Sequence, residues 1–416
     1  MAAQGEDYRP AFPPKTKPHI STGIPFPEAA AHHITSTYHA SKVYIIVSNS
    51  ISKTENFTLL KKALGDKIVG TRLGIKPHTP WDDLLEIIKD IQTKGADSII
   101  TLGAGSLTDG AKVITLALAN NVSTLDGLST LTKEAQTPDL KAPQIPVINI
   151  PTSLSGGEYQ SLAGATDKRN DHKAGFQHPE MGADLIILDP ALSVTTPAQI
   201  WLSTGIRAVD HCVEGLCSLD PKAGEQSDKG FTEGLKLLVP NLLITKKNWD
   251  AEEPRLKEMM GVIEAMKGVQ SGVPMGGSHG IGHQLGPLGV GHGETSCIML
   301  PPILKYNYSH GDEKVKKLQQ KVLDVLWGEK AVADVLTSKG LKKETADAGD
   351  VVGTVISELG MPRTLKDVGV ERSQLDALAE NCLKDPWLKT NPVPLTEKKQ
   401  VLEVLEMVVG DGKSSL

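Results

Sequence analysis

Three histidines in one glycine-rich segment, GGSHGIGHQLGPLGVGHGE (276–294), could bind a metal ion or exchange protons with a substrate. His279 and His283 are one helical turn apart, as in an HxxxH metal-binding pair, and His292 follows nine residues later. A zinc-protease motif needs a glutamate directly after the first histidine, and Gly280 stands there instead, which argues against that class. Each glycine weakens a helix by about 1 kcal/mol relative to alanine. The segment therefore predicts histidines that face a ligand rather than histidines kept for packing.

Two glycine-rich turns in the first half of the chain could bind phosphate. SIITLGAGSLTDGAK (98–112) has the order strand, turn, helix start, and INIPTSLSGGEYQS (148–161) places hydroxyl side chains beside two glycines after the next strand. Small residues let the backbone approach an anion, and the free amides of a helix start point at it, aided by the helix dipole. Two such turns at neighbouring strand ends predict a crevice for the pyrophosphate of a dinucleotide.

The end of the first predicted strand bears on which dinucleotide would bind. VSNSIS places Asn49 where an acidic residue often bonds the 2'-hydroxyl of the adenosine ribose. Because no carboxylate stands there to repel a 2'-phosphate, NADP is not excluded.

The elements that would position these residues change in type along the chain. Strands are predicted at 42–47, 67–71, 97–102, 145–150 and 184–188, and helices at 81–95, 109–121, 228–243, 313–327 and 397–409. Short, nearly continuous apolar runs are typical of strands buried on both faces of a parallel sheet. We expect an α/β Rossmann-like domain followed by an all-α domain. The predicted boundaries are an N-terminal extension and first turn at 1–40, a dinucleotide-binding domain at 41–192 and a helical catalytic domain at 193–416.

The composition argues against several kinds of partner. The 416 residues carry a formal net charge of -6 without long runs of one sign, so neither nucleic acid nor an anionic membrane is expected as a partner. The N-terminus has no apolar core of signal-peptide length, and no stretch approaches 18 uninterrupted apolar residues. We expect a cytoplasmic protein with a small-molecule substrate. The 4 cysteines form no CxxC pair and are expected to be reduced core residues.

Taken in order, these motifs resemble the iron-containing (group III) alcohol dehydrogenase superfamily, which includes glycerol dehydrogenase, maleylacetate reductase and dehydroquinate synthase. GAGSLTDGAK is similar to the family's GGGSxxDxAK loop, and STGIRAVDHCVEG (203–215) to its first metal-binding helix. SHGIGHQLGPLGVGHGETSCIMLPPILKYN is similar to its HxxxH…H segment and LP…N run. PTSLSGGE and HGETSCIMLP look most like PTTYAGSE and HAETHxVVLP of maleylacetate reductase. The resemblance implies a Rossmann-like domain, a helical domain, and NAD(P)H held between them with its nicotinamide facing the histidines.

The resemblance also implies roles for individual residues. The two glycine-rich turns would bind the pyrophosphate and the nicotinamide. Residues outside these turns would bind the ribose and the adenine. The implied cofactor-binding residues are Asn49, Gly103, Ala104, Gly105, Ser106, Asp109, Thr152, Ser153, Lys173 and Leu192. Metal-dependent members bind iron or zinc through an aspartate, a histidine four residues later and two histidines in the later segment. The matching positions in this chain are Arg207, His211, His279 and His292.

Arg207 replaces the aspartate of that metal site, and three interpretations follow. A guanidinium has no lone pair to donate and stays charged, so it cannot bind a cation. Arg207 could supply the positive charge that the metal would have given, polarising a carbonyl or holding a carboxylate. Alternatively, it pairs with Asp210 or Glu214 and the ion was lost without replacement. A third possibility is that Asp210 restores a metal site, although three residues along the helix it would face about 60° away.

The leading hypothesis is an NAD(P)H-dependent oxidoreductase, without a catalytic metal, that reduces a carbonyl or enone in a small substrate that can be acidic. The candidate catalytic residues are Arg207, His211, His279, His283 and His292; if a metal binds, His211, His279 and His292 would hold it. Two alternatives stay open: a lyase, dehydratase or cyclase that uses the arginine and histidines as acids and bases, and a catalytically silent nucleotide-binding protein. A homodimer is an assembly that the resemblance allows.

Overall fold

The computed structural model describes residues 2–170 and 172–410. The chain divides into two compact units, Met1–Thr195 and Thr196–Leu416. The first unit contains all the strands found in the described residues. They are β1 (Asp7–Pro10), β2 (His19–Thr22), β3 (Val43–Val47), β4 (Ile68–Leu73), β5 (Ser98–Gly103), β6 (Val147–Pro151), β7 (Leu162–Asp167), β8 (His172–Gln177) and β9 (Leu185–Ile187). Its helices are α1 (Phe26–Ser36), α2 (Glu55–Leu64), α3 (Trp81–Lys94), α4 (Gly105–Ala119), α5 (Leu125–Thr130) and α6 (Pro190–Val194).

Seven strands form one sheet in the order β1-β2-β9-β6-β5-β3-β4, while β7 and β8 form a separate hairpin. All neighbours in the large sheet are parallel except β1 and β2. β3 pairs with β4 on one side and with β5 on the other, so the direction of winding reverses between β3 and β5. Ligands of doubly wound sheets bind at the carboxyl ends of the strands beside such a reversal.

Alternate side chains of β3 show why its sequence is apolar throughout. Val43, Ile45 and Val47 pack in one buried cluster with side chains of α1 and α2. Tyr44 and Ile46 point to the other face and pack with side chains of α3 and α4. Both faces of the sheet are covered by helices, which confirms the predicted α/β class.

The structure adds elements that the sequence pattern did not predict. Residues 1–40, treated above as an extension and first turn, contribute β1, β2 and α1 to the first unit. DYRP and HIST are only four residues long and mostly polar, so they carry no clear alternation. The β7–β8 hairpin also escaped prediction, since its strands contain Gly164 and Gly175 and few large apolar residues.

The described residues of the second unit form helices and the turns that connect them, without strands. Its helices are α7 (Ala198–Cys217), α8 (Glu225–Lys247), α9 (Glu252–Gln270), α10 (Gly277–Leu285), α11 (His292–His310), α12 (Glu313–Gly328), α13 (Lys330–Ser338), α14 (Ala348–Leu359), α15 (Leu375–Cys382), α16 (Trp387–Thr390) and α17 (Lys398–Glu406). α11 packs against both α7 and α10. Among the described residues, none of the helices combines the length and the apolar character needed to span a bilayer.

Candidate active site

The predicted phosphate turn joins β5 to α4. Gly103 has φ 151°, and a Cβ built on it would lie 2.6 Å from Cδ1 of Leu107, so the turn requires glycine here. α4 begins at Gly105, where a built Cβ would have nothing within 4 Å. An anion that approaches the start of the helix therefore meets no other group on this side of Gly105.

The neighbouring strand ends carry the other predicted cofactor residues. Asn49 follows β3, and the amide of Ser48 bonds the carbonyl of Leu102 across to β5 over 3.0 Å. On the other side, the amide of Thr152 bonds the carbonyl of Gly103 over 3.1 Å. The carboxyl ends of β3, β5 and β6 thus lie side by side, with the 103–106 turn in the middle and the reversal of winding beside it. Ala104 is the residue that precedes α4, and Ser106 lies in the first turn of that helix. Ser153, next to Thr152, is buried.

A buried lysine that the sequence argument did not single out links the two glycine-rich turns. Nζ of Lys112 donates to the carbonyls of Gly157, over 2.7 Å, and Leu162, over 2.9 Å, and lies 3.2 Å from Oδ1 of Asp109. Asp109, predicted to stand near the nicotinamide, is therefore paired with Lys112. Beside them, burial raises the pKa of Glu158 to about 7. The sequence does mark this lysine, because Lys112 is the last residue of the GAGSLTDGAK motif.

The two residues assigned to the ribose and adenine have different surroundings. Lys173 is an exposed residue of β8 whose side chain crosses Gly164 of β7. Leu192 lies in α6 with a side chain that is 3% exposed, inside the cluster beneath β3, β5 and β6. Leu192 thus supports the sheet from within, and its side chain offers almost no surface to a ligand.

In the second unit, three helices place polar side chains in the interior. α7 contributes Arg207, Asp210 and Glu214, while α10 and α11 contribute serines and a histidine to the same cluster. The six residues of this buried polar cluster are Arg207, Asp210, Glu214, Ser278, His279 and Ser296. Since isolated charges are costly to bury, the partners of each group decide what the cluster can do.

Arg207 faces inward. Its Nη1 donates to Oγ of Ser296 over 3.0 Å and lies 4.0 Å from Oδ2 of Asp210. The same Oδ2 accepts hydrogen bonds from the hydroxyls of Ser278, over 2.7 Å, and Ser296, over 2.6 Å. Burial raises the pKa of Asp210, and the nearby Glu214 raises it further. Of the three interpretations of Arg207, this geometry favours internal pairing with Asp210.

Glu214 holds the start of α10. Its carboxyl oxygens accept the backbone N–H of Gly276 over 2.8 Å and that of Ser278 over 2.7 Å, and Oε2 lies 2.8 Å from Nδ1 of His279. The carboxylate form of Glu214 can only accept, so Nδ1 of His279 donates to it and Nε2 of the neutral ring carries the lone pair. Nε2 is buried and has no hydrogen-bond partner among the described residues. Burial lowers the pKa of His279 well below its usual value, and Arg207 adds to that effect.

The four predicted histidines do not form one group. The half-buried His211 and the buried His279 are adjacent, with ring centroids 4.6 Å apart, and burial lowers the pKa of His211 as well. The side chain of His283 is 34% exposed, and its Nδ1 lies 2.8 Å from Oδ2 of Asp385. His292 is the exposed first residue of α11. The HxxxH pair is therefore split between an inner and an outer imidazole.

One group of side chains has the composition of a metal site. Possible ligand atoms of Asp210, Glu214 and His279 lie within 4.8 Å of one another, and all three residues are buried. The set differs from the predicted His211, His279 and His292. The spacing of Asp210 and Glu214, four residues on one helix face, could have indicated the pair from the sequence, but Ser278, Ser296 and Asp385 carry no such pattern.

The comparisons with known proteins cover nearly the whole chain. Residues 22–190 match the family described as iron-containing alcohol dehydrogenase. Residues 201–409 match the Fe-containing alcohol dehydrogenase family, C-terminal. Dehydrogenase ALT3 of Alternaria alternata is 46% identical over 378 residues, which are 88% of this chain and 98% of that protein.

Solved structures show the same fold. Maleylacetate reductase from Rhizobium sp. strain MTP-10005 superposes with a TM-score of 0.67 at 24% identity, covering 92% of this chain and 93% of its own. Sulfoacetaldehyde reductase from Bifidobacterium kashiwanohense, solved in complex with NAD+, superposes with a TM-score of 0.74 at 18% identity, covering 92% and 96%. The fold predicted from the sequence is thus confirmed.

Proposed function

Because the chain belongs to the iron-containing alcohol dehydrogenase family and is an oxidoreductase, we propose that it reduces a carbonyl or enone of a small substrate with NAD(P)H and without a catalytic metal. The observation that carries the proposal is the 103–106 turn, which presents the open start of α4 at the carboxyl edge of the sheet, beside its reversal of winding. A dinucleotide bound there places its pyrophosphate against free helix amides.

Reduction of the substrate needs the transfer of one hydride and one proton. The nicotinamide gives a hydride to the electrophilic carbon, and a proton reaches the oxygen or the enolate that forms, leaving NAD(P)+ and the reduced product. The second unit offers imidazoles for the proton and a fixed positive charge in Arg207. Because Arg207 is buried and turned toward Asp210, it acts on the cluster through its charge rather than by touching the substrate.

The absence of a catalytic metal from the proposal is supported by the hydrogen bonds that already occupy the possible ligand atoms. Both carboxyl oxygens of Glu214 accept backbone N–H groups, and Oε2 also accepts Nδ1–H of His279. Arg207 supplies a positive charge where the family's metal site has an aspartate, so a divalent cation would meet a like charge at close range. These residues, as arranged, do not fit the ion that the family's name implies.

Two measurements on one preparation test the proposal. Protein purified without chelator is titrated with NADH and with NADPH, following nicotinamide fluorescence, and its iron and zinc contents are measured. We expect saturable binding of at least one nucleotide and less than stoichiometric metal. Absence of nucleotide binding would overturn the redox proposal, while one equivalent of iron or zinc would overturn only the metal-free part. Maleylacetate and sulfoacetaldehyde, taken from the names of the two solved relatives, are the first trial substrates.

A further inference from the structure

Residues 385–391 contact both ends of α10 through side-chain hydrogen bonds. Oδ1 of Asn391 accepts the backbone N–H of Gly277 over 3.1 Å at the start of the helix. Oδ2 of Asp385 lies 2.8 Å from Nδ1 of His283 in the last turn. Residues 385–391, here called the 385–391 segment, therefore set the surroundings of α10 although they are about 100 residues away in sequence.

The glycine between the two histidines of α10 allows this close approach. A Cβ built on Gly280 would clash with Cδ1 of Leu388 and lie 3.3 Å from Oδ1 of Asp385. A larger residue at 280 would displace the side chain of Leu388 and crowd the carboxylate of Asp385. The glycine that argued against a zinc-protease motif thus has a structural reason of its own, because it brings a carboxylate to His283.

Asp385 uses its two oxygens for different partners. Oδ1 accepts the backbone N–H of Trp387 over 3.0 Å, and Oδ2 accepts Nδ1–H of His283. An ionised carboxylate can only accept, so the proton of a neutral His283 sits on Nδ1 and the lone pair on Nε2. The indole of Trp387 packs on the imidazole with ring centroids 4.8 Å apart, which limits rotation of the ring.

Exposure separates the two imidazoles of α10. His279 is fully buried, whereas the side chain of His283 is 34% exposed and can meet a ligand. We infer that His283 exchanges the substrate proton through Nε2, and that Asp385 is the positioning residue that holds His283 in the required tautomer. The inference rests on the proposed oxidoreductase function and names the proton-exchanging residue within it.

The proton step then has a defined path. During reduction, Nε2–H of the imidazolium gives its proton to the oxygen as hydride reaches the carbon. During oxidation, the lone pair of neutral Nε2 takes the hydroxyl proton as hydride leaves for NAD(P)+. The hydrogen bond from Nδ1–H of His283 to Asp385 is kept in both directions.

Asp385→Asn tests whether Asp385 sets the tautomer of His283. Oδ1 of Asp385 is bonded to the backbone N–H of Trp387, which can only donate. The backbone N–H of Trp387 still needs an acceptor, so the amide oxygen stays on that side and the amide NH₂ faces Nδ1 of His283. Nδ1 must then accept, which moves the proton of the neutral ring to Nε2. The hydrogen bond from the backbone N–H of Trp387 to residue 385 is kept in the variant, while the tautomer of His283 is reversed. Asp376→Asn, at a 75% exposed aspartate paired with Lys398, is the matched control.

Two readouts follow both variants. Turnover is measured with NADH or NADPH and whichever of maleylacetate, sulfoacetaldehyde and short aldehydes gives the wild type its highest kcat/KM. For Asp385→Asn we expect kcat to fall at least about tenfold, as for loss of general acid–base catalysis, with KM and nucleotide Kd within about twofold. Nitrogen-15 NMR of the imidazole of His283 should show protonated Nδ1 in the wild type and protonated Nε2 in Asp385→Asn. Asp376→Asn should match the wild type in both.

The outcomes separate this inference from the proposed function. A reversed tautomer with wild-type kcat would show that His283 does not exchange the substrate proton. An unchanged tautomer in Asp385→Asn would show that Asp385 does not position it. A wild type that binds no nucleotide and reduces none of the compounds would refute the oxidoreductase proposal, and with it the proton step, while the NMR result would still decide the role of Asp385.

Discussion

Arg207 and Asp210 face each other inside the second unit, with Nη1 4.0 Å from Oδ2 and the hydroxyl of Ser296 hydrogen-bonded to both. Each group partly compensates the other for the loss of water. The arginine in the position of the family's aspartate is therefore part of a hydrogen-bonded network. Nε of Arg207 and Oδ1 of Asp210 have no hydrogen-bond partner among the described residues, and replacement of the arginine changes the charge of the whole cluster.

Arg207→Asp should create affinity for a divalent cation. The change removes the opposing positive charge and adds a carboxylate one turn from His211, close to the Asp210, Glu214 and His279 cluster. We expect zinc binding that is at least tenfold tighter than in the wild type, measured by calorimetry and by metal content after dialysis. Arg207→Asn, which removes the charge without adding a ligand anion, is the control. If the aspartate variant took up no zinc, the site would have diverged by more than one residue.

Gly105→Ala should weaken nucleotide binding without harming the fold. A Cβ at this position meets nothing within 4 Å, so the substitution fits the protein but occupies the space in front of the first amides of α4. We expect the Kd for NADH or NADPH to rise at least tenfold, with the free energy of unfolding within about 0.5 kcal/mol of wild type. Gly328→Ala, where a Cβ also has nothing within 4 Å, should change neither. Unchanged affinity in Gly105→Ala would place the pyrophosphate elsewhere.

Asn49→Asp should favour NADH over NADPH. A carboxylate at the end of β3 can bond the 2'-hydroxyl of the ribose and repels a 2'-phosphate. We expect the ratio of the two Kd values to move at least tenfold toward NADH, measured by fluorescence titration. Asn56→Asp, at a half-buried residue of α2 whose amide donates to the hydroxyl of Thr195, is the matched control. An unchanged ratio would mean that Asn49 does not lie at the ribose.

Glu158→Gln should change how stability depends on pH. Burial raises the pKa of Glu158 to about 7, so between about pH 4.5 and 7 the folded state binds more protons than the unfolded state. The stability linked to this proton is present at low pH and is lost as pH rises to about 7. Relative to wild type, Glu158→Gln should therefore gain stability across that range, by on the order of 3 kcal/mol. Urea unfolding of both proteins at several pH values measures the difference, and a constant difference would contradict the shift.

The fold was predictable because its signals are local. Val43 to Val47 form a continuous apolar run, and the turn between β5 and α4 is marked by its own glycines, so neither depends on distant residues to be recognised. β1 and β2 could not be predicted in this way. They are strands because β9, more than 160 residues later, pairs with β2, and nothing in their own four residues indicates that partner.

The candidate site was predictable only in part, for a similar reason. His279 and His283 are marked by their spacing, yet their different environments arise from Glu214 and Asp385, which lie 65 and 102 residues away. Asp385 stands in the sequence KDPWLK without any catalytic motif around it. Its role depends on Gly280, whose missing side chain matters only when the opposing segment is known.

The link between His283 and Asp385 has a consequence for the order in which the protein matures. A ribosome that has just completed α10 must add about 100 more residues before Asp385 exists. At typical synthesis rates of about 5 to 20 residues per second, this takes roughly 5 to 20 seconds. During that interval the helix lacks the partner that sets its outer imidazole, and a chain released early would retain both histidines of α10 without the aspartate that orients His283.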